Sequence, residues 1–132
     1  MYSIGILSRR TGIKVPTIRY YEQTGLLDPP DRTEGNQRRY TAEAALRLGF
    51  IKKARNLGFS IAAIRELIEL GEHPRTPCAE ATRIAREQRD EVRLRIAQLK
   101  RLEVELDRIS TGCDNASSDD CYVLKALSGL HP

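Results

Sequence analysis

Apolar residues fall in short blocks at helical spacing along the first half of the chain, and in one long stripe along the second. Ser3 precedes Ile4 and Leu7, and Gly12 follows, which predicts a short helix with a serine N-cap and a glycine stop. Residues 13–15 read as a tight turn. Pro16 suits the start of a second helix over Thr17 to Thr24, ended by Gly25. With Ile4, Leu7, Ile13, Ile18 and Tyr21 available to pack, the two form a helix-turn-helix pattern. Pro29 and Pro30 then forbid helix, and Gly35-Asn36 is a turn signal, so residues 26–40 predict a small hairpin or wing. Thr41 caps a third helix over roughly 42–55, with Leu46, Phe50 and Ala54 on one face. Ser60 caps a fourth over roughly 61–70, with Ile61, Ile64, Leu67 and Ile68 apolar. Residues 71–78, with Gly71, Pro74 and Pro77, read as a linker.

Neither proline nor glycine occurs from Ala79 to Thr111. At about 1.5 Å per residue, that helix would be near 50 Å long. One stripe at coiled-coil spacing runs Ala81, Ala85, Gln88, Val92, Arg95, Leu99, Leu102, Leu106, Ile109, and seven of the nine are apolar. Such a helix cannot bury its stripe against itself, and residues 1–70 are too few to cover it, so it needs a partner helix. A polar loop and a short apolar helix follow in residues 112–132. The expected fold is mainly α. A winged helix-turn-helix (1–70) and a linker (71–78) lead into a long antiparallel coiled-coil dimerisation helix (79–111), and a metal-binding loop with a short helix closes the chain (112–132).

Charge sharpens this picture. The chain of 132 residues carries a net +4, but residues 1–70 hold 12 Lys/Arg against 7 Asp/Glu, whereas residues 71–132 hold 10 against 11. The basic excess sits wholly in the first half, which suits a polyanionic partner such as double-stranded DNA. No apolar stretch approaches the roughly 20 residues of a membrane span. No signal peptide is evident, which places the chain in the cytoplasm. No nucleophile–base pair, phosphate loop or paired acids suggest an enzyme.

Three cysteines, Cys78, Cys113 and Cys121, argue against a disulfide framework. Cys113 and Cys121 bracket seven residues, a loop able to bring both sulfurs to one ion. Soft thiolates select copper(I), zinc, cadmium, lead or mercury. Cys78 lies at the other end of the long helix, out of reach within its own chain. In an antiparallel pair it meets the opposite end of the second helix, so Cys78 of the partner subunit would join Cys113 and Cys121. The dimer would then hold two equivalent three-thiolate sites. Asp114, Asp119 and Asp120 read as solvating the loop, Ser118 as at most a weak oxygen donor, and His73 as a surface residue of the linker.

Ile18-Arg19-Tyr20-Tyr21-Glu22, Gly25-Leu26-Leu27, Asn36-Gln37-Arg38-Arg39-Tyr40 and Leu57-Gly58-Phe59-Ser60 together resemble the signature of MerR-type regulators. The resemblance implies a winged helix-turn-helix, an antiparallel coiled-coil homodimer and a C-terminal effector site. It also implies action with RNA polymerase at promoters whose spacer is too long, where the effector makes the dimer bend and undertwist the DNA. Carried over by residue, Arg19 and Tyr20 match recognition-helix contacts, with Thr17 on the same face. Arg32 and Arg38 match wing contacts to phosphate, while Asn36 and Tyr40 shape the wing, with Tyr40 packing beneath it. Many relatives carry Tyr where this chain has Gln37, so Gln37 takes no role. A cysteine at position 78 resembles the family's sensors of divalent ions, where copper(I) sensors have Ser. The spacing of Cys113 and Cys121 looks like the copper sensors' loop, and the additional Cys and His of zinc sensors fall near Asp114 and Ser118. A third thiolate spoils two-coordinate copper(I) selectivity, so the reading favours zinc, cadmium, lead or mercury. Copper(I) is the alternative effector. A thiol redox switch at Cys113 and Cys121 and a metal buffer with a vestigial DNA motif are the other rivals.

Overall fold

The computed structural model describes residues 1–32, 35, 38–75, 77–111 and 121–128. Helices α1 (Ile4–Thr11), α2 (Val15–Gln23), α3 (Ala42–Asn56), α4 (Ile61–Gly71), α5 (Ala79–Thr111) and α6 (Tyr122–Leu127) dominate, with strands β1 (Asp31–Arg32) and β2 (Arg38–Arg39) between α2 and α3. The mainly helical architecture is the expected one.

Local chemistry sets the helix starts. The side chains of Ser3, Thr41 and Ser60 accept the backbone N–H groups of Ile6, Ala44 and Ala63, satisfying donors that a helix N-terminus leaves open. Helix α2 begins at Val15, ahead of the expected Thr17, so Pro16 occupies its second position, where a missing N–H costs nothing. Gly12 ends α1 at φ 73°, and its N–H donates to the Ser8 carbonyl. Strands β1 and β2 pair antiparallel, Asp31 opposite Arg39 and Arg32 opposite Arg38.

The chain divides into two compact units, Met1–Ile84 and Ala85–Pro132. In the first, α1 packs on α2 and α3, and α3 on α4. Leu7, Ile18, Leu26, Leu27, Tyr40, Leu48, Ile51 and Ile64 are fully buried, and Ile84 from the start of α5 joins their cluster. Two polar contacts lock the helix-turn-helix onto this base. Lys52 of α3 donates to the Thr11 carbonyl at 2.9 Å, and Arg65 of α4 to the Thr24 carbonyl at 2.6 Å. Each places a cation at the C-terminal end of α1 or α2, where the helix dipole favours it.

The apolar face expected for α3 differs from the one its own chain buries. Leu46 and Phe50 are 75% and 46% exposed, whereas Leu48, Ile51 and Ala54 are buried. The two sets share Ala54 and lie side by side, so α3 is apolar over a wider arc than α1 and α4 cover. The uncovered shoulder, with Leu67 and Ile68 of α4, lines a groove of about 360 Å³.

In the second unit, Ile109 is buried, but Val92, Leu94, Ile96, Leu99, Leu102, Val104 and Leu106 are exposed. No helix among the described residues is long and apolar enough to cross a membrane.

Candidate nucleic-acid interface and thiol site

Helix α2 turns Ile18 and Tyr21 inward and Arg19 and Tyr20 outward, as a helical period requires of four consecutive residues. Tyr20 is 50% exposed, and its ring lies tilted against that of Tyr21, centroids 6.0 Å apart. Thr17 is half-buried, less open than its expected place beside Arg19. Arg9, Arg10 and Lys14, all exposed, add positive charge before and within the turn between α1 and α2. Arg10 lies over the Tyr2 ring, 4.9 Å from its centre.

In the wing, Arg32 is exposed on β1 and stands opposite Arg38 on β2. Asn36, expected to shape the tip, lies outside the described residues. Tyr40 is 1% exposed and packs at the base of the wing. Its backbone pairs with Tyr2, N–H to carbonyl at 2.7 and 2.8 Å in the two directions, and its hydroxyl donates to a Glu22 carboxylate oxygen on α2.

Of the three cysteines, Cys78 and Cys121 fall among the described residues and Cys113 outside them. Cys78 is exposed at the start of α5. Its carbonyl accepts the Thr82 N–H at 2.9 Å, and its sulfur lies 3.8 Å from the Thr82 hydroxyl. Cys121 is half-buried at the N-cap of α6, and its carbonyl accepts the Lys125 N–H. The next residue, Tyr122, accepts a hydrogen bond from Arg108. Both cysteines are thiols rather than partners in a disulfide, a donor type that suits soft ions. Among the described residues no three ligating side chains converge on one point. His73 is exposed, its N–H directed to the Leu70 carbonyl.

Sequence reasoning missed the Tyr2–Tyr40 bridge, the Tyr40–Glu22 hydrogen bond and the Arg108–Tyr122 contact. Glu22 stands inside a family motif, which gave a place to look but no partner. The other contacts join distant residues and leave no periodic trace.

Residues 2–70 match the family model described as MerR HTH family regulatory protein, and residues 45–109 match that described as MerR, DNA binding. This chain belongs to the MerR family. The HTH-type transcriptional regulator ZntR of Escherichia coli K12 is 40% identical, with 96% of this chain and 92% of the relative aligned. The mercuric resistance operon regulatory protein of Shigella flexneri is 35% identical over 96% of this chain and 88% of its own. Among solved structures, PbrR691 from Ralstonia metallidurans CH34 in complex with lead(II) superposes with a TM-score of 0.83. It is 35% identical, and 96% of this chain and 99% of that one are covered. As a MerR-family member the chain is a DNA-binding transcriptional regulator and not an enzyme. The resemblance drawn from the motifs at Arg19–Glu22 and Asn36–Tyr40 therefore holds at the level of family and fold.

Proposed function

We propose that this MerR-family chain is a cytoplasmic homodimer that switches a promoter in response to a soft divalent ion: zinc, cadmium, lead or mercury. Cys113 and Cys121 would bind the ion together with Cys78 of the partner subunit. The observation that carries this reading is α5. It runs unbroken from Ala79 to Thr111, and the three cysteines of the chain stand just beyond its two ends. A 33-residue helix rises about 50 Å, so thiols at opposite ends serve one ion only when two helices run antiparallel. The relatives include a mercuric resistance regulator and a regulator solved in complex with lead(II), which supports a metal effector of this class.

The homodimer rests on the exposed apolar stripe of α5, with Val92, Leu99, Leu102 and Leu106 43–61% exposed. Burying such a stripe against a second copy is the ordinary way a long helix is stabilised. On DNA, Arg19 and Tyr20, with Thr17 beside them, would enter the major groove, where an arginine can give two hydrogen bonds to guanine. Arg32 and Arg38, with Asn36 and Tyr40 shaping the wing, would hold phosphates and set the register. Metal held between two subunits favours one dimer geometry over another, and a shift of a few kcal/mol suffices to redistribute DNA between shapes. RNA polymerase would then read the realigned promoter.

Titration of the reduced dimer with zinc, cadmium, lead, mercury and copper(I), followed by thiolate charge-transfer absorbance, tests the effector. Three thiolates per divalent ion are expected. Two per ion, unaffected by Cys78→Ser, would favour the copper(I) alternative suggested by the seven-residue spacing of Cys113 and Cys121. A response of the metal-free protein to peroxide would favour the redox switch.

A further inference from the structure

The wing consists of two strands of two residues each, Asp31–Arg32 and Arg38–Arg39. A two-stranded hairpin is marginal in water even when longer, so this ladder cannot by itself fix the direction in which the wing points. Its base must do so. Tyr40, the residue after β2, is where three segments meet: its backbone pairs both ways with Tyr2, its ring is buried in the core, and its hydroxyl donates to Glu22 on α2. Phenylalanine would fill the same space. A hydroxyl taken out of water costs free energy unless it is bonded, and the bond then fixes direction where packing alone does not.

We propose that the Glu22–Tyr40 hydrogen bond is a positioning strut that holds the wing at a set angle to α2, so that Arg32 and Arg38 reach phosphate while Arg19 sits in the groove. Tyr40 is buried and Glu22 half-buried, so the strut acts by position. Glu22 follows Arg19 by three residues, nearly one helical turn, so the strut anchors the wing to the same stretch of α2 that carries Arg19 and Tyr20. A wing released from Glu22 keeps its charge but no longer has a fixed spacing between its arginines and Arg19. The fold survives, but the wing and α2 no longer engage the duplex at the same moment. The proposal rests on reading α2 and the wing as the DNA-facing elements.

The test uses the full chain and a duplex that the unchanged protein selects from a random-sequence pool, with affinity measured across a salt series. The slope of log affinity against log salt reports how many phosphates are engaged, and a smaller folded fraction alone does not alter it. Tyr40→Phe is expected to bind roughly ten-fold more weakly and to flatten the slope by about one for each phosphate the wing no longer holds. Glu22→Leu is expected to flatten the slope at least as much. Glu22→Gln, which keeps an acceptor oxygen, is expected to retain the full slope. The double variant Tyr40→Phe with Glu22→Leu is expected to be no weaker than Glu22→Leu alone. An unchanged slope in Tyr40→Phe, or additive losses in the double variant, would overturn the strut. An unchanged protein that bound duplex with no salt dependence would instead overturn the DNA-facing reading and the strut with it.

Discussion

Arg108, near the end of α5, donates to the Tyr122 hydroxyl at 2.5 Å and lies 5.9 Å from the centre of its ring. The same guanidinium pairs with Glu105 one turn earlier. Hydrogen bonding from Arg108 holds the Glu105 carboxyl below the ordinary carboxylate range, and the pairing with Glu105 and Tyr122 raises Arg108 further above the neutral range. Because the folded-state value of Glu105 is depressed, its contribution is present above the unfolded-state value and disappears as pH falls through the folded-state one. The Glu105–Arg108 pairing within α5 is therefore expected to be constant around neutrality and to fade in acid below the ordinary carboxylate range. Hydrogen exchange of the α6 amides reads the tether that Arg108 makes to Tyr122. Tyr122→Phe is expected to speed that exchange at neutral pH and to leave residues 1–84 unchanged; equal protection in both proteins would remove the tether.

Gly12 carries the turn between α1 and α2 in a conformation that side chains rarely adopt, φ 73°. A Cβ placed there would lie 2.6 Å from the Lys52 ammonium, the group that caps the Thr11 carbonyl. Gly12→Ala is expected to lower stability by about 1–2 kcal/mol from backbone strain, with a further penalty where Lys52 must move. Thermal unfolding gives the number, and a variant as stable as the parent would contradict the assignment of this turn.

Arg19 is exposed on α2 and separate in chain position from every cysteine. Arg19→Ala is expected to weaken specific DNA binding by roughly 1–3 kcal/mol while metal stoichiometry stays the same. Loss of both functions together would contradict the division of labour between α2 and the thiols.

Leu99 and Leu102 are 57% and 58% exposed on α5. Charged residues there would be buried without partners in a coiled coil. Leu99→Glu with Leu102→Glu is expected to shift the protein from dimer to monomer in sedimentation experiments. A dimer of unchanged strength would place the interface elsewhere.

The legible part of the fold was the locally determined part. Ser3, Thr41 and Ser60 read as caps because a hydroxyl just ahead of an apolar period satisfies a nearby donor, and all three do so. Long-range relationships were not legible. Which arc of α3 faces inward depends on where α1 and α4 lie against it, and this moved the buried face from Leu46 and Phe50 to Leu48 and Ile51. The Tyr40–Glu22 bond spans 18 residues and the Arg108–Tyr122 contact 14, distances over which spacing carries no signal. Of the thiols, the places of Cys78 and Cys121 at the starts of α5 and α6 followed from helix boundaries alone.

Mixed dimers test the intersubunit site most directly. One subunit carries Cys78→Ser, and the other carries Cys113→Ser with Cys121→Ser. Neither homodimer then has three thiols able to meet, whereas the heterodimer regains one complete set across its two chains. The expected result is one tightly bound cadmium ion per heterodimer with a three-thiolate charge-transfer band, and no such band from either homodimer. A heterodimer no better than its parent homodimers would contradict a site built from opposite ends of two antiparallel helices.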